Sequence, residues 1–188
     1  AAWLVWHQDL SANHVLRFYT NTETDSASGR VSGRTSNSRG TSTIFTVYQG
    51  SSAYDNCNIS GDEYIFWAWT EKQGYSKFGG YTGNGSTDGP FVYTGFKPAF
   101  VMIKGTNASG SWYMLDSKRS VHNVANHAVE AQASAPEYTN YNFIDMLSNG
   151  FKLRLGTSEV NTAGNTYVYM AFAENPLVTS TGIPTTAR

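Results

Sequence analysis

The sequence has 188 residues, a formal net charge of −1, and as many aromatic residues (14%) as charged ones (14%). Near-neutrality, with no basic run longer than Lys118-Arg119, removes any general electrostatic drive towards nucleic acid or an anionic membrane. No stretch approaches the roughly 18 consecutive apolar residues of a membrane helix, and the wealth of Gly, Ser, Thr and Asn suits aromatic strands joined by uncharged turns rather than a helical bundle.

The chain opens on Ala1-Ala2-Trp3, without an initiator Met or a basic-then-apolar leader, so the amino terminus is expected to be processed or truncated. Residues 3–6 read as a strand, residues 14–38 as strand plus loop, and residues 43–47 as the next strand. Cys57, the single cysteine, lies in a turn-like Asp55-Asn56-Cys57-Asn58 without a basic neighbour, and reads as a bystander thiol. Residues 64–69 are apolar at both parities directly after a turn signal, which predicts a strand buried on both sides. Trp67 and Trp69 are accordingly expected in the core, as are Tyr169 and Phe172. Residues 81–90 are Gly-rich and read as a linker or hairpin. Strands are then predicted over residues 91–93, 99–104, 112–115, 143–147, 151–155 and 167–173. The loose spacing of Ala125, Ala128, Val129 and Ala133 predicts a short helix within residues 120–136.

The chain also repeats itself. Residues 58–71 (Asn-Ile-Ser-Gly-Asp-Glu-Tyr-Ile-Phe-Trp-Ala-Trp-Thr-Glu) recur over residues 161–174 (Asn-Thr-Ala-Gly-Asn-Thr-Tyr-Val-Tyr-Met-Ala-Phe-Ala-Glu) at a constant offset of 103 positions. Asn, Gly, Tyr, Ala and Glu are identical, and the remaining strand positions keep their apolar character. More weakly, residues 43–47 align with 149–153 and residues 3–6 with 112–115. A duplicated strand set in an all-β chain, spaced by Gly-, Asn- and Ser-rich turns, predicts a β-sandwich or jelly roll. Residues 1–73 form the first, amino-terminally incomplete module and residues 74–188 the second, complete one, unless both close into one continuous sandwich. The first copy lacks a counterpart of residues 100–104, so either the chain is the carboxy-terminal part of a longer one or another segment completes the first sheet.

Several segments resemble a repeated module of tailed-phage virion proteins, of the type found in phages of marine bacteria and cyanobacteria. They are residues 74–79 (Gly-Tyr-Ser-Lys-Phe-Gly), 81–86 (Tyr-Thr-Gly-Asn-Gly-Ser), 88–104, 147–153 (Leu-Ser-Asn-Gly-Phe-Lys-Leu) and 167–176. The resemblance covers residues 60–188 well and residues 1–57 loosely, and Ala187-Arg188 reads as the natural end of such proteins. It implies a tail-fibre-like or adhesin context on the virion surface, with a concanavalin-A-like or jelly-roll, lectin-like sandwich and no established catalytic residues.

The residues themselves offer little reactive chemistry. Glycan hydrolysis needs two facing carboxyls, yet Asp62-Glu63 becomes Asn165-Thr166 in the second copy, and Glu71 and Glu174 lack an alternating acidic partner. His7 and His14, like His122 and His127, are not spaced to place two ligands on one face with a third donor nearby. The oxygen-rich loops at residues 55–58 and Thr87-Asp88 could hold Ca2+, although ordinary Asx turns explain them; otherwise no cofactor is implied. Trp and Tyr offer a sugar both an apolar face and a polar tip, and Tyr75, Tyr81 and Tyr138, placed in polar loops, are the candidate ligand-binding residues.

The expected function is therefore non-enzymatic: a host-surface binding module, with glycan as the expected ligand. A purely structural decoration or fibre-shaft subunit is the alternative, and a depolymerase whose activity would rest on Glu71 or Glu174 is a more distant one. The expected partners are copies of the chain, other virion proteins and a host-surface glycan or protein, without nucleic acid or membrane insertion.

Overall fold

Runs of β-branched and aromatic residues broken by Gly, Asn and Ser turns favour strands, and in the computed structural model strands are the regular elements among the described residues. The structure describes residues 3–10, 14–18, 47, 60–156 and 160–175, and none of these is helical. Among them lie β1 (Leu4–Val5), β2 (Leu16–Arg17), β3 (Ser76–Thr82), β4 (Phe91–Tyr93) and β5 (Pro98–Gly105). There follow β6 (Tyr113–Asp116), β7 (Val129–Glu130), β8 (Ile144–Leu147), β9 (Gly150–Leu153) and β10 (Thr166–Ala173). Every ladder is antiparallel.

The architecture is a β-sandwich. A five-stranded sheet, ordered β3-β10-β5-β6-β7, faces a three-stranded sheet, ordered β4-β9-β8. Alternation along each strand sends one side-chain set into the space between them. Val101 and Ile103 of β5, Tyr113 and Leu115 of β6, and Tyr167, Tyr169 and Ala171 of β10 meet Val92, Ile144, Met146, Phe151 and Leu153 of the smaller sheet. Fully burying one such aliphatic or aromatic side chain contributes roughly 1.5–3 kcal/mol, so this shared core carries the fold.

The amino-terminal hairpin adds a third layer. β1 pairs with β2, and Leu10 and Leu16 pack on Trp112 and Val168, which lie on the outer face of the large sheet. The Trp112 indole N–H donates to the Arg17 carbonyl (3.3 Å), and Phe18 lies 5.4 Å from the Trp112 ring. β10 is therefore covered on both faces and paired on both edges, which is why its sequence is apolar at both parities.

Three expectations are corrected. Residues 120–136 hold no helix; Ala125 and Ala128 are small because their backbones bridge to Ile144 and Tyr138. Of the two readings of residues 81–90, linker or hairpin, the linker fits residues 83–90: Tyr81 and Thr82 finish β3, and the chain then crosses to β4 in the other sheet. Residues 62–71 join no ladder, and Trp67 and Trp69, expected in the core, are exposed. Tyr169 is in the core, whereas Phe172 lies on the outer face beside Tyr75, Phe78 and Phe100. Of the strand predicted over residues 43–47, only Val47 is among the described residues.

Candidate functional site

Gly61, at φ 91°, turns the chain into an extended ribbon over residues 62–71. Tyr64, Ile65, Phe66, Trp67 and Trp69 all stand well exposed, Ile65 at 74% and the two tryptophans at 59% and 58%. Trp3, itself half exposed, stacks on Trp67 with ring centroids 4.9 Å apart and planes 25° apart. The foot of the ribbon is fixed: the Ser76 hydroxyl donates to the Thr70 carbonyl (2.9 Å), and Lys72 bridges to Ser76. A contiguous exposed aromatic surface of this kind marks an interaction site more often than an accident of composition.

At that foot, Glu71 forms an ion pair with Lys77 (2.9 Å) and accepts from the Phe78 N–H and Gln8 (both 3.4 Å). Burial raises the Glu71 carboxyl, but Lys77 and these two hydrogen bonds outweigh it and hold the group below its ordinary range. His7 lies close by. Its Nδ1 accepts the Asp9 N–H (3.2 Å) and its Nε2 donates to the Tyr169 carbonyl (3.3 Å), an arrangement that fits the neutral Nε2–H tautomer. Desolvation by burial depresses the His7 pKa against the raising effect of Asp9, the Tyr169 bond and Glu71. The Tyr169 phenol is pushed up to about 12, by burial first and then by the charges of Glu71 and Asp9.

The three candidate tyrosines are not brought together. Tyr75 precedes β3 at the ribbon's foot; it is half exposed, with its ring edge-on to Phe172 at 5.9 Å. Tyr81 lies within β3, stacked on Tyr167 (5.1 Å), and its hydroxyl donates to the Val160 carbonyl (2.6 Å). Burial, reinforced by Tyr167, pushes the Tyr81 phenol well above its usual range. Tyr138 sits near the opposite edge of the large sheet, bridged to Ala128 and packed among Tyr113, Tyr141 and Phe143. Its hydroxyl donates to Glu130 (2.7 Å), which is the leading cause of its raised pKa. Of the three, only Tyr75 adjoins the ribbon.

A shallow groove of about 480 Å³ runs over one end of the large sheet, where Asp9, His14, Tyr81, Thr106, Asn107 and Thr166 line it. Its polar groups are largely engaged with each other: the Thr106 and Thr166 hydroxyls are 2.6 Å apart, and the Asn107 side-chain oxygen accepts the Thr166 N–H (2.9 Å).

Among the described residues, no group of three or more His, Cys, Asp or Glu is arranged to hold a metal. Asp88 is paired with Lys152 (2.8 Å), whose hydrogen bond and charge lower its pKa. Glu174 is paired with Lys97 (2.6 Å). Asp62 and Glu63 lie exposed at the ribbon's start. His122 is exposed, and His127 donates from Nδ1 to the Arg119 carbonyl (2.9 Å). The loop at residues 55–58 lies outside the described residues.

One residue stands out that its sequence position announces only as a turn former. Asn161, the repeat partner of Asn58, is fully buried. Its side-chain oxygen accepts the Asn84 N–H (2.9 Å), and its amide donates to the Asn84 side-chain oxygen (3.1 Å) and the Ser86 carbonyl (2.8 Å). It thereby fixes the Gly-rich crossover between the sheets. The identity of Asn58 and Asn161 in the repeat was the available signal.

Over residues 1–176 the chain matches the family described as a domain of unknown function, DUF7483. It belongs to that family. The DUF7483 match spans the ribbon and β10 alike, so both halves of the internal repeat fall within it. No curated protein and no solved structure matches the chain.

Proposed function

We propose that this chain is a non-enzymatic, lectin-like module of a tailed-phage virion protein, and that it binds a host-surface glycan through the ribbon of residues 64–69 together with Trp3. The supporting observation is the Trp3–Trp67 stack beside Trp69, on a run from Tyr64 to Thr70 that contains no charged residue. Indole faces stack on the C–H faces of sugar rings, and neutral surroundings suit an uncharged ligand. The resemblance of residues 74–79, 81–86, 88–104, 147–153 and 167–176 to phage tail-fibre-like modules supports the virion context. Binding of the chain to host cells or an array of host glycans tests the reading. Trp67→Ala and Trp69→Ala should each weaken that binding while the fold persists. Saturating protein with no binding to the natural host rules the reading out.

A second reading, the structural decoration or fibre subunit, draws on a different observation. The ribbon repeats the pattern of β10, a strand paired on both edges. A segment of that kind lying outside any ladder suits strand addition to a neighbouring polypeptide in an assembly. Tryptophan substitutions that lower assembly on the particle but leave glycan binding unchanged would favour this reading over the first.

A further inference from the structure

The strand edges of this sandwich are not treated alike. On β8, the Asn123 side chain mimics a neighbouring strand: its amide donates to the Met146 carbonyl (2.9 Å) and its oxygen accepts the Met146 N–H (2.8 Å). Ala125 donates to the Ile144 carbonyl beside it (2.8 Å). On β3, Gln8 and Glu71 take the carbonyl and N–H of Phe78. Next to β7, Ala128 exchanges both backbone bonds with Tyr138 (3.0 and 2.9 Å). Side-chain caps and short bridges are ways in which proteins keep sheet edges from recruiting another chain.

β4 has no such cap. Val92 pairs with Phe151, and the flanking bonds from Leu153 N–H to the Pro90 carbonyl and from Thr94 N–H to the Asn149 carbonyl (both 3.0 Å) set the phase of the ladder. Residues 90, 92 and 94 thus turn their backbone groups towards β9, and antiparallel alternation turns those of Phe91 and Tyr93 outwards. Among the described residues nothing bonds to the N–H or carbonyl of either. Their rings, 45% and 64% exposed, flank the buried Val92 on the solvent side of the small sheet. No charged residue occurs over residues 90–96, and the charges at the strand's two ends are already neutralised as Asp88–Lys152 and Lys97–Glu174. Nothing in this edge repels a second copy of itself.

We propose that β4 is a self-association edge, at which two copies pair β4 to β4 antiparallel about a two-fold axis at Val92. That register sets Phe91 of each copy opposite Tyr93 of the other. The outward N–H and carbonyl groups of both residues then meet as two doubly hydrogen-bonded pairs, and the rings form two cross-strand aromatic pairs. The two three-stranded sheets become one of six strands, and the symmetry closes the assembly at a dimer. The pairing is independent of the glycan reading, because it uses a different strand from the aromatic ribbon and survives the loss of ribbon tryptophans.

Sedimentation velocity of the whole chain over a concentration series tests it. The sedimentation coefficient should rise to that of a dimer, and Tyr93→Pro should abolish the rise. Proline at 93 removes an outward N–H that the β4–β9 ladder does not use, so an unchanged circular dichroism spectrum should accompany the loss. A chain that stays monomeric at every concentration overturns the proposal, as does a folded Tyr93→Pro variant that still dimerises. A charge exchange decides the matter even if that variant misfolds. Phe91→Lys with Tyr93→Lys, and Phe91→Glu with Tyr93→Glu, should each be monomeric alone and dimerise when mixed, since only β4-to-β4 pairing sets the two charge sets opposite one another. A mixture that stays monomeric overturns the register, including the case in which the ribbon of a second copy occupies this edge.

Discussion

Residues 64–71 and 167–174 share Tyr, Ala and Glu at the same spacing, and both end with the glutamate in an ion pair, Glu71 with Lys77 and Glu174 with Lys97. Their environments are opposite. Tyr167 is 1% exposed on an interior strand of the five-stranded sheet, and its hydroxyl accepts the Thr162 N–H (2.9 Å). Tyr64 is 45% exposed, and its hydroxyl donates to Asp62 (3.4 Å). The difference lies in the neighbours. β10 has β3 on one edge, β5 on the other, the small sheet on one face and the amino-terminal hairpin on the other, whereas residues 62–71 join no ladder. A sequence pattern states how much burial a segment can use, and the surrounding strands decide how much it receives.

The contrast can be broken most sharply at Tyr167. Tyr167→Ala should cost about 3–5 kcal/mol, the range for deleting a large buried aromatic, read as the shift in a urea unfolding midpoint. Next comes Asn161→Ala, which strips the crossover at residues 84–86 of its buried partners. A loss of roughly 1–3 kcal/mol is expected for groups left unsatisfied, with faster proteolytic cleavage in that loop. On the strand beside β10, a Cβ at Gly79 would lie 2.9 Å from the Tyr169 hydroxyl, so Gly79→Ala should cost about 1–3 kcal/mol through overpacking.

A smaller effect concerns pH. The His7 pKa is lower in the folded chain than its ordinary value of 6.5. The neutral ring's contribution is therefore fully present above that value and is lost as the pH falls through the folded pKa. As the pH falls below 6.5 the melting temperature should drop, and the His7→Gln variant should lose less over the same interval. An equal drop in both proteins would remove His7 as the cause. The smallest effect sharpens the comparison. Tyr64→Ala, the repeat counterpart of Tyr167→Ala, should change stability by less than about 1 kcal/mol. A loss rivalling that of Tyr167→Ala would show that the ribbon is buried in solution.

Much of the sandwich was legible because its strands are short, aromatic and separated by turn residues. The predictions over residues 91–93, 99–104, 112–115, 143–147, 151–155 and 167–173 each overlap a strand of the structure. The false helix over residues 120–136 arose because alanine spacing looks the same whether it serves a helical face or two close backbone bridges. The candidate site was harder to read. Tyr81 looked like a loop residue since glycines follow it, but pairing with Tyr167 draws it into β3 and the core. Trp67 and Trp69 looked like core for the same reason that β10 is core, and no local signal separates an apolar strand with neighbours from one without.

The chain's own chemistry determined the all-β class, most strand positions, the internal repeat and the low content of charge, because strand propensity and turn formation are local and act within a few residues. Only the tertiary structure decided which repeat is buried, which edge is capped and which aromatics meet solvent. Those outcomes depend on contacts between segments as far apart as His7 and Tyr169, 162 positions along the chain, and a periodicity of two records which face a side chain takes without recording what lies across from it.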